Sequence, residues 1–255
     1  MSIPYSRFIF ASLPWYGVLI AAGVLAAIAL SMHEEKRLGM KQDTIIDLAL
    51  WVIPLGIIGA RIYYALFNWQ VFASDPLSVL RIWEGGIAIY GAVLGGLIGV
   101  FLFASRRKMN PLLLTDAIVP GLSLAQGIGR WGNYFNMEAY GREITDPRLQ
   151  FFPIGVQIPS GSGYTWHMAT FFYESCWDVL VFAVLWFVVR KHTRNVGTVT
   201  LWYLLLYGAG RFFIEGLRTD SLMLGSIRIS QLLSLVMVIL SAMLLIIRRI
   251  KAKNT

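Results

Sequence analysis

The sequence ISQLLSLVMVILSAMLLII, which occupies residues 229–247, carries no charged side chain. A helix of roughly 20 apolar residues crosses the hydrocarbon core of a bilayer, which is about 30 Å thick. Six other stretches are long and apolar enough to do the same: residues 15–32, 44–67, 87–103, 112–133, 171–189 and 198–215. The sequence therefore predicts an all-α polytopic membrane protein with seven transmembrane helices.

The composition excludes a soluble globular protein and a disordered one. Of the 255 residues, 57% are hydrophobic and only 14% are charged, against roughly 25% charged residues in ordinary soluble domains. Aromatic residues make up 14% of the chain, which argues against disorder. We expect one membrane domain over residues 1–255. Its single cysteine, Cys176, excludes an internal disulfide and a zinc site built from cysteines.

The distribution of basic residues predicts the orientation in the membrane. Thirteen of the 22 basic residues, including every lysine, lie in the loops after the first, third and fifth spans and in the C-terminal tail. Because such residues accumulate on the cytoplasmic side, we expect the N-terminus outside and the C-terminus in the cytoplasm. The net charge of +8 then needs no nucleic-acid partner.

The longest segment outside the membrane is predicted between spans four and five, at residues 134–170. Its prolines and the Gly161-Ser162-Gly163 turn favour loops, and residues 151–158 could form short strands. We expect a small extracytoplasmic head that rests on the helix bundle.

Two spans carry small residues spaced four apart, a pattern that lets helix backbones approach closely in lipid. These residues are Gly91, Gly95 and Gly99 in the third span, and Gly121, Ala125 and Gly129 in the fourth. They predict tight helix packing and indicate nothing about chemistry.

Arg130 is the first of three arginines that lie within predicted spans. It shares a helix face with Asn133, and Asn136 and Glu138 follow where the span meets the outer surface. Charge inside a membrane is costly, so such a cluster is a functional hypothesis.

Arg211 is the second, and it lies in a polar stripe with Tyr203, Tyr207 and Glu215 at helical spacing. Arg211 and Glu215 can pair, and Arg218 follows just outside the span. The stripe predicts a polar face that is turned toward the interior of the bundle.

Arg61 is the third, beside Tyr63 and Tyr64, and Tyr16 and Tyr90 add hydroxyl groups near the outer ends of their helices. For all three arginines, an internal salt bridge or a reach to the lipid headgroups is the structural alternative. Because acidic residues within the spans are few, we expect an unpaired guanidinium cluster that binds an anion. The abundant anion at that depth is a lipid phosphate, which arginine binds in a bidentate manner.

Several classes of enzyme lack their motifs in this chain. His33 and His192 fall on the cytoplasmic side and only His167 on the outer side, so a histidine-based nucleophilic triad in the bundle is not expected. The sequence has no HExxH motif, no phosphate-binding P-loop and no Gly-x-Ser-x-Gly elbow. We expect neither a metal nor another cofactor.

The cluster around Arg130 resembles the signature of the bacterial prolipoprotein diacylglyceryl transferases. The signature comprises Gly129-Arg130-Trp131-Gly132-Asn133-Tyr134-Phe135-Asn136-Met137-Glu138, followed by Gly141-Arg142. Further similar pieces are Trp15-Tyr16-Gly17, Gly59-Ala60-Arg61-Ile62, Trp83-Glu84-Gly85-Gly86, Phe171-Phe172-Tyr173-Glu174, Tyr207-Gly208-Ala209-Gly210-Arg211-Phe212-Phe213-Ile214-Glu215 and Arg218-Thr219-Asp220-Ser221. These pieces follow the family's order from about residue 15 to residue 235.

The resemblance implies an enzyme of the bacterial cytoplasmic (inner) membrane with seven helices. It implies transfer of diacylglycerol from phosphatidylglycerol to the lipobox cysteine of a preprolipoprotein, carried in its signal peptide, with release of glycerol phosphate. Arg130 and Arg211 match the two arginines tied to lipid binding and catalysis. Other matches to site positions of the family are Tyr16, Asn133, Asn136, Glu138 and Gly141.

The chain departs from the family's pattern at two places. Many members carry a histidine after the Gly-Gly of the third span, where this chain has Tyr90, and His-Pro is often found where this chain has Met168-Ala169. We therefore expect the arginines to favour the thiolate by their charge, and Tyr90, Glu138 or water to receive the proton. Arg61, Glu215 and Arg218 are further candidates for substrate binding.

Two other classes of function stay open on the residues alone. A transporter or channel for an anionic solute could line its path with the three arginines, although the chain shows no internal repeat of the kind that many transporters have. An intramembrane protease lacks a serine–histidine or paired-aspartate arrangement here.

Overall fold

The computed structural model describes residues 6–10, 13–193, 195–225 and 227–253, which are mostly helical. The helices are α1 (Trp15–Arg37), α2 (Thr44–Phe67), α3 (Trp69–Phe72), α4 (Ile89–Arg107), α5 (Pro111–Asn136), α6 (Thr170–Ala183), α7 (Arg190–His192), α8 (Thr198–Glu215) and α9 (Ile229–Lys253). A π-helical turn, Val184–Val189, joins α6 to α7, and short 3-10 turns occur at Pro76–Leu80, Ile82–Glu84 and Pro147–Leu149. The strands are β1 (Phe8–Phe10), β2 (Leu13–Pro14), β3 (Gly155–Ser160), β4 (Gly163–Met168), β5 (Met223–Leu224) and β6 (Ile227–Arg228).

Six helices in the described part of the chain are long and apolar enough to span a membrane. They are Trp15–Arg37, Thr44–Phe67, Ile89–Arg107, Pro111–Asn136, Thr170–His192 and Ile229–Ala252. The predicted polytopic membrane class is confirmed. The remaining predicted span coincides with α8, which contains Arg211, Glu215 and two tyrosines and is not among these six, so the number seven stays a prediction.

The chain divides into two compact units, Ser31–Ala117 on the one hand and Met1–Leu30 with Ile118–Thr255 on the other. In the first unit, α2 and α4 pack through glycines. A Cβ on Gly91 would lie 2.3 Å from the carbonyl oxygen of Gly59, and one on Gly95 would lie 2.1 Å from that of Leu55. The predicted role of the glycine stripe of α4 in tight packing is confirmed, because any larger side chain would force the two backbones apart.

In the second unit, the other small-residue stripe packs against the N-terminal part of α1. A Cβ on Gly121 would lie 2.8 Å from the carbonyl oxygen of Ala27, and one on Gly23 would lie 3.1 Å from that of Ala125. This close contact fixes the helix that carries Arg130 and confirms the packing predicted for the stripe.

The predicted head contains an antiparallel hairpin of β3 and β4, which pair from Gly155↔Met168 to Ser160↔Gly163. The turn has Gly161 in the left-handed conformation, with φ +59°, where glycine carries no steric cost. Below the hairpin, Val156 and Ile158 pack with Tyr134 and Phe171 in a buried cluster. The strands expected at residues 151–158 form only in part, because residues 151–154 are turns, β3 continues to Ser160 and β4 lies outside the expected range. The hairpin covers the ends of α5 and α6.

Candidate active site

The predicted polar cluster lies at the C-terminal end of α5, where the backbone adopts a strained capping conformation. The backbone N–H groups of Met137 and Glu138 donate to the carbonyl oxygens of Tyr134 and Asn133 at 3.1 and 3.0 Å, which is the Schellman arrangement. Met137 occupies its left-handed position with φ +56°, where glycine is usual, and Ala139 has φ +59°. Such strain persists where the surrounding structure enforces it, often at functional sites.

Glu138 lies between Met137 and Ala139 in the chain, and two side-chain amides that precede it hold its carboxylate. Its Oε1 accepts hydrogen bonds from Nδ2 of Asn133 at 3.0 Å and from Nδ2 of Asn136 at 3.1 Å. The structure thus brings together three of the predicted site residues. A depression of ≈ 170 Å³ is lined by Met137, Glu138, Ala139, Tyr140, Thr219 and Asp220.

Arg130 and Arg211 share one carboxylate, that of Glu174 in α6. Nη2 of Arg130 lies 2.5 Å from Oε1 of Glu174, and Nη1 of Arg211 donates to Oε1 and Oε2 at 2.9 and 3.1 Å. The expectation of an unpaired guanidinium cluster was therefore wrong. The signal was present, because Glu174 is an acidic residue within a predicted span, and such a residue needs a partner.

Two further carboxylates complete the network. Oε2 of Glu215 lies 2.5 Å from Nη2 of Arg211 in an ion pair and accepts no hydrogen bond from the described residues. Arg218 donates from Nε and Nη2 to the two oxygens of Asp220 at 2.9 and 2.8 Å. Three arginines are thus matched by three carboxylates, and their formal charges cancel.

The arginines of this network are more exposed than the glutamates beneath them. The side chains of Arg130 and Arg211 are 21% and 15% exposed, against 3% for Glu174. In the described part of the chain, Arg130 pairs with Glu174 through Nη2 alone. Its Nε and Nη1 therefore stay available to an anion, held in place by the pair that Nη2 makes.

Asp220 lies outside the membrane-spanning helices, and its ionisation depends on Arg218. Partial burial raises the pKa of Asp220, but the hydrogen bonds and the charge of Arg218 outweigh burial and leave that pKa below its ordinary value. Asp220 therefore remains a carboxylate at neutral pH and holds Arg218 at the edge of the network.

Close packing of α6 on α8 explains why Glu174 reaches Arg211. A Cβ on Gly210 would lie 2.1 Å from Nε1 of Trp177, and that indole N–H donates to the carbonyl oxygen of Leu206 at 2.9 Å. The indole thus lies directly on the backbone of α8, one residue before Arg211.

Close packing of α5 on α6 places Arg130 in the same way. The hydroxyl of Ser175 donates to the carbonyl oxygen of Gly127 at 2.8 Å and accepts from Nε1 of Trp131 at 3.2 Å. Ser175 directly follows Glu174, and Trp131 directly follows Arg130. These neutral hydrogen bonds fix the two ends of the ion pair.

Gly141 lies where the chain leaves the cluster, and its contacts are structural. Its N–H donates to the carbonyl oxygen of Met168 at 2.9 Å, and the N–H of Arg142 donates to that of Leu217 at 3.1 Å. A Cβ on Gly141 would lie 2.7 Å from the Cβ of Met168. Only glycine fits here, between the hairpin and the segment that carries Arg218.

Tyr16 packs its ring on the helix that carries the cluster. A Cβ on Gly132 would lie 2.6 Å from Cδ2 of Tyr16, and the phenol lies within electrostatic reach of Glu138 and Arg130. The Tyr16 side chain is about one-third exposed, so it borders the cluster.

In the other unit, Arg61 has a different environment. Its five N–H groups donate to backbone carbonyl oxygens of the loop that precedes α4, at 2.5–3.1 Å; the acceptors are Ser78, Val79, Arg81, Gly85 and Gly86. A guanidinium has five donors in all, so these bonds occupy it fully. Direct binding of a phosphate, which the sequence suggested, would require some of them to break.

Tyr90, the other candidate in that unit, lies in the first turn of α4. It is partly buried, and its ring centroid is 6.2 Å from that of Tyr63. The last acceptor of Arg61 in that loop, Gly86, lies four residues before Tyr90.

The fold and the cluster define a polytopic membrane protein with an ion network of arginines and carboxylates where α5 and α8 end and α6 begins. Residues 6–247 match the family model of prolipoprotein diacylglyceryl transferase. The chain belongs to this family of transferases, which act in lipoprotein biosynthesis.

Curated relatives support the same assignment over most of their length. A phosphatidylglycerol–prolipoprotein diacylglyceryl transferase of Limosilactobacillus reuteri (strain DSM 20016) is 48% identical over 240 residues, which cover 93% of this chain and 87% of the relative. Proteins of the same name from Streptococcus agalactiae serotype Ia and Listeria innocua serovar 6a are 42% and 43% identical; these matches cover 93% and 94% of this chain and 92% and 87% of the relatives. The alternative of a transporter for an anionic solute finds no support in these matches.

Proposed function

We propose that this chain transfers the diacylglyceryl group of phosphatidylglycerol to the thiol of the lipobox cysteine of a preprolipoprotein. A thioether forms, and glycerol phosphate leaves. This would be the first step of lipoprotein maturation. Support comes from the family, from the names of the relatives and from one geometric observation: Arg130 and Arg211 are anchored on the buried Glu174, while their side chains stay partly exposed.

The arginines act on the leaving group. As the cysteine sulfur bonds to the glyceryl carbon, the bond from that carbon to the phosphate oxygen breaks, and its electron pair stays with the phosphate. Arg130 and Arg211 stabilise the charge that grows on this oxygen, an effect that is typically large in a site that excludes water. Because the ion pairs already hold both arginines, little reorganisation accompanies the step.

The same positive groups favour ionisation of the nucleophile. A free cysteine has a pKa of about 8.5, and a cationic neighbour lowers it. The S–H proton passes to Glu138, to Tyr90 or to water. Glu138 suits this role because two amides hold its carboxylate and Tyr16 lies close to it. A neutral phenol such as Tyr90 is a poor base, since its pKa is about 10.

Both substrates meet this cluster at the membrane surface. In the proposed topology all seven predicted spans, α8 included, cross the bacterial cytoplasmic membrane, with the N-terminus outside and the C-terminus in the cytoplasm. Residues 134–170 form the extracytoplasmic head. Phosphatidylglycerol then keeps its acyl chains in lipid and presents its phosphate to Arg130, while the signal peptide arrives within the bilayer.

A reconstituted transfer assay tests the function. The full chain in vesicles of phosphatidylglycerol, given a peptide with a lipobox cysteine, should yield a peptide whose mass increases by one diacylglyceryl group. Vesicles of phosphatidylcholine alone should yield none. Uptake of an anionic solute without any modified peptide would favour the transporter and contradict the proposal.

A further inference from the structure

Asp178 is a buried acidic residue of α6 to which the proposed mechanism gives no role. It lies four residues after Glu174, on the same face of the helix, and it is 0% exposed. Both oxygens of its carboxyl group are shielded from solvent, and no described residue donates a hydrogen bond to either. Nearly all buried polar groups have such a partner, so this one calls for a physical explanation.

The surroundings of Asp178 are set by α5. Ser123 donates its hydroxyl to the backbone oxygen of Asp178 at 2.8 Å, not to the carboxyl group. A Cβ on Gly127 would lie 3.5 Å from the Cβ of Asp178, so the side chain leaves its helix close beside α5. The carboxyl group is therefore enclosed by helix packing.

The charged groups that act on Asp178 come from three helices. Arg130 approaches from α5 and Arg211 from α8, whereas Glu174 lies on the helix of Asp178 itself. The phenols of Tyr203 and Tyr207 on α8 also interact with it. Both arginines are paired with Glu174 or Glu215, and neither makes a hydrogen bond to the carboxyl group of Asp178.

The charge of the network decides which form of Asp178 is compatible with an anionic ligand. Arg130, Arg211 and Arg218 balance Glu174, Glu215 and Asp220. Ionisation of Asp178 would add one uncompensated negative charge beneath the arginines. That charge would oppose a phosphate above them, and an ionised carboxylate without donors is itself costly in the interior.

We propose that Asp178 carries its proton in the resting protein, and that by staying neutral it lets the arginine network accept an anionic phospholipid headgroup. Asp178 is a positioning residue that acts through Arg130 and Arg211 and does not touch the substrate. The second half of this inference rests on the proposed function. The first half, the bound proton, does not.

Infrared spectroscopy tests the bound proton without any reaction. The full chain in a phosphatidylcholine bilayer at neutral pH should show the carbonyl stretch of a protonated carboxyl group, and Asp178→Asn should remove it. Asp75→Asn is the matched control and should leave the band unchanged, because Arg81 holds the pKa of Asp75 below its ordinary value by a hydrogen bond. Identical spectra for the wild type and Asp178→Asn would overturn the proposal.

The pH dependence of transfer tests the effect on the headgroup. Asp178→Asn keeps the shape of the side chain but cannot ionise, so its KM for phosphatidylglycerol should stay within about threefold of the wild-type value at neutral pH. At alkaline pH the KM of the wild type should rise, and that of the variant should rise less. A KM that is more than about tenfold higher at neutral pH in a folded variant would show that the ionised form is needed. If the wild type modifies no peptide, the proposed function fails while the infrared result still decides the proton.

Discussion

The guanidinium group of Arg61 and those of Arg130 and Arg211 have partners of two different kinds. Arg61, which is 5% exposed, gives all five of its donors to backbone carbonyl oxygens. Arg130 and Arg211 are anchored by carboxylates, and their side chains keep 21% and 15% of their surface exposed. Carbonyl binding uses up the donors and fixes a loop, whereas anchoring on a carboxylate orients a guanidinium and leaves part of it for a ligand. Under the proposed function, the contrast separates an arginine that fixes a loop from arginines that bind the substrate.

The largest effect is expected at Arg130. Arg130→Ala should lower transfer by about 10²–10³-fold, the usual result of removing one stabilising donor at a developing negative charge. Arg130→Lys should recover little, because a lysine offers no planar fork to a phosphate. Transfer rates of protein purified from membranes measure this. Arg148→Ala, at an exposed arginine of the predicted head, is the control and should match the wild type. Wild-type rates in Arg130→Ala would refute the role.

A second large effect is expected at Glu174. Glu174→Gln removes the carboxylate that Arg130 and Arg211 share, so Arg130 loses its ion-pair partner and Arg211 keeps only Glu215. Breaking a buried ion pair from one side typically costs about 3–5 kcal/mol, and this pair is partly exposed, so we expect the lower end of that range. Denaturant unfolding in detergent measures the loss. An unchanged stability would mean that the network contributes nothing to the packing of α5, α6 and α8.

Arg61→Lys sharpens the comparison with Arg130→Lys. A lysine has three donors in place of five, so some carbonyl groups at residues 78–86 would lose their partner. Hydrogen exchange should increase in that loop. Transfer should fall less than in Arg130→Lys, because no direct contact with the phosphate is lost. A fall in transfer as large as that of Arg130→Lys, with no change in exchange, would place Arg61 at the phosphate and erase the distinction.

The smallest effect is expected at Tyr90. Tyr90→Phe removes a hydroxyl from the position where the resemblance to the family led us to expect a histidine, and we expect transfer within about twofold of the wild type, since a neutral phenol is a poor base. The pH profile of transfer is the second readout. A drop of more than about tenfold with a shifted profile would make Tyr90 the proton acceptor.

The sequence predicted the helices and most members of the cluster for physical reasons that act locally. Apolar runs of membrane length and glycines spaced four apart are properties of single segments, and both predictions hold in α4 and α5. Arg130, Asn133, Asn136 and Glu138 lie within one helix end, so their proximity follows from the chain itself. The resemblance to the family added Gly141, whose contacts with Met168 and Leu217 explain why only glycine fits there.

The pairing between helices could not be derived in that way. Glu174 and Asp178 are visible as acidic residues four apart in a predicted span, but which arginine they face depends on how α5, α6 and α8 pack. That packing is set by Trp177 on Gly210 and by Ser175 on Gly127, contacts between residues far apart in sequence. Arg61 shows the same limit, because its acceptors are backbone carbonyl oxygens, and the residue types in a sequence do not indicate which carbonyl groups will bind an arginine.

The central claim is that Arg130 and Arg211 hold the lipid phosphate. Solid-state magnetic resonance between isotope-labelled arginine nitrogens and the phosphorus of phosphatidylglycerol, with the full chain in a bilayer, measures it directly. We predict a contact at hydrogen-bonding distance that disappears in the Arg130→Ala, Arg211→Ala double variant and persists in Arg61→Lys. A contact that survives the double variant, or that Arg61→Lys abolishes, would contradict the account.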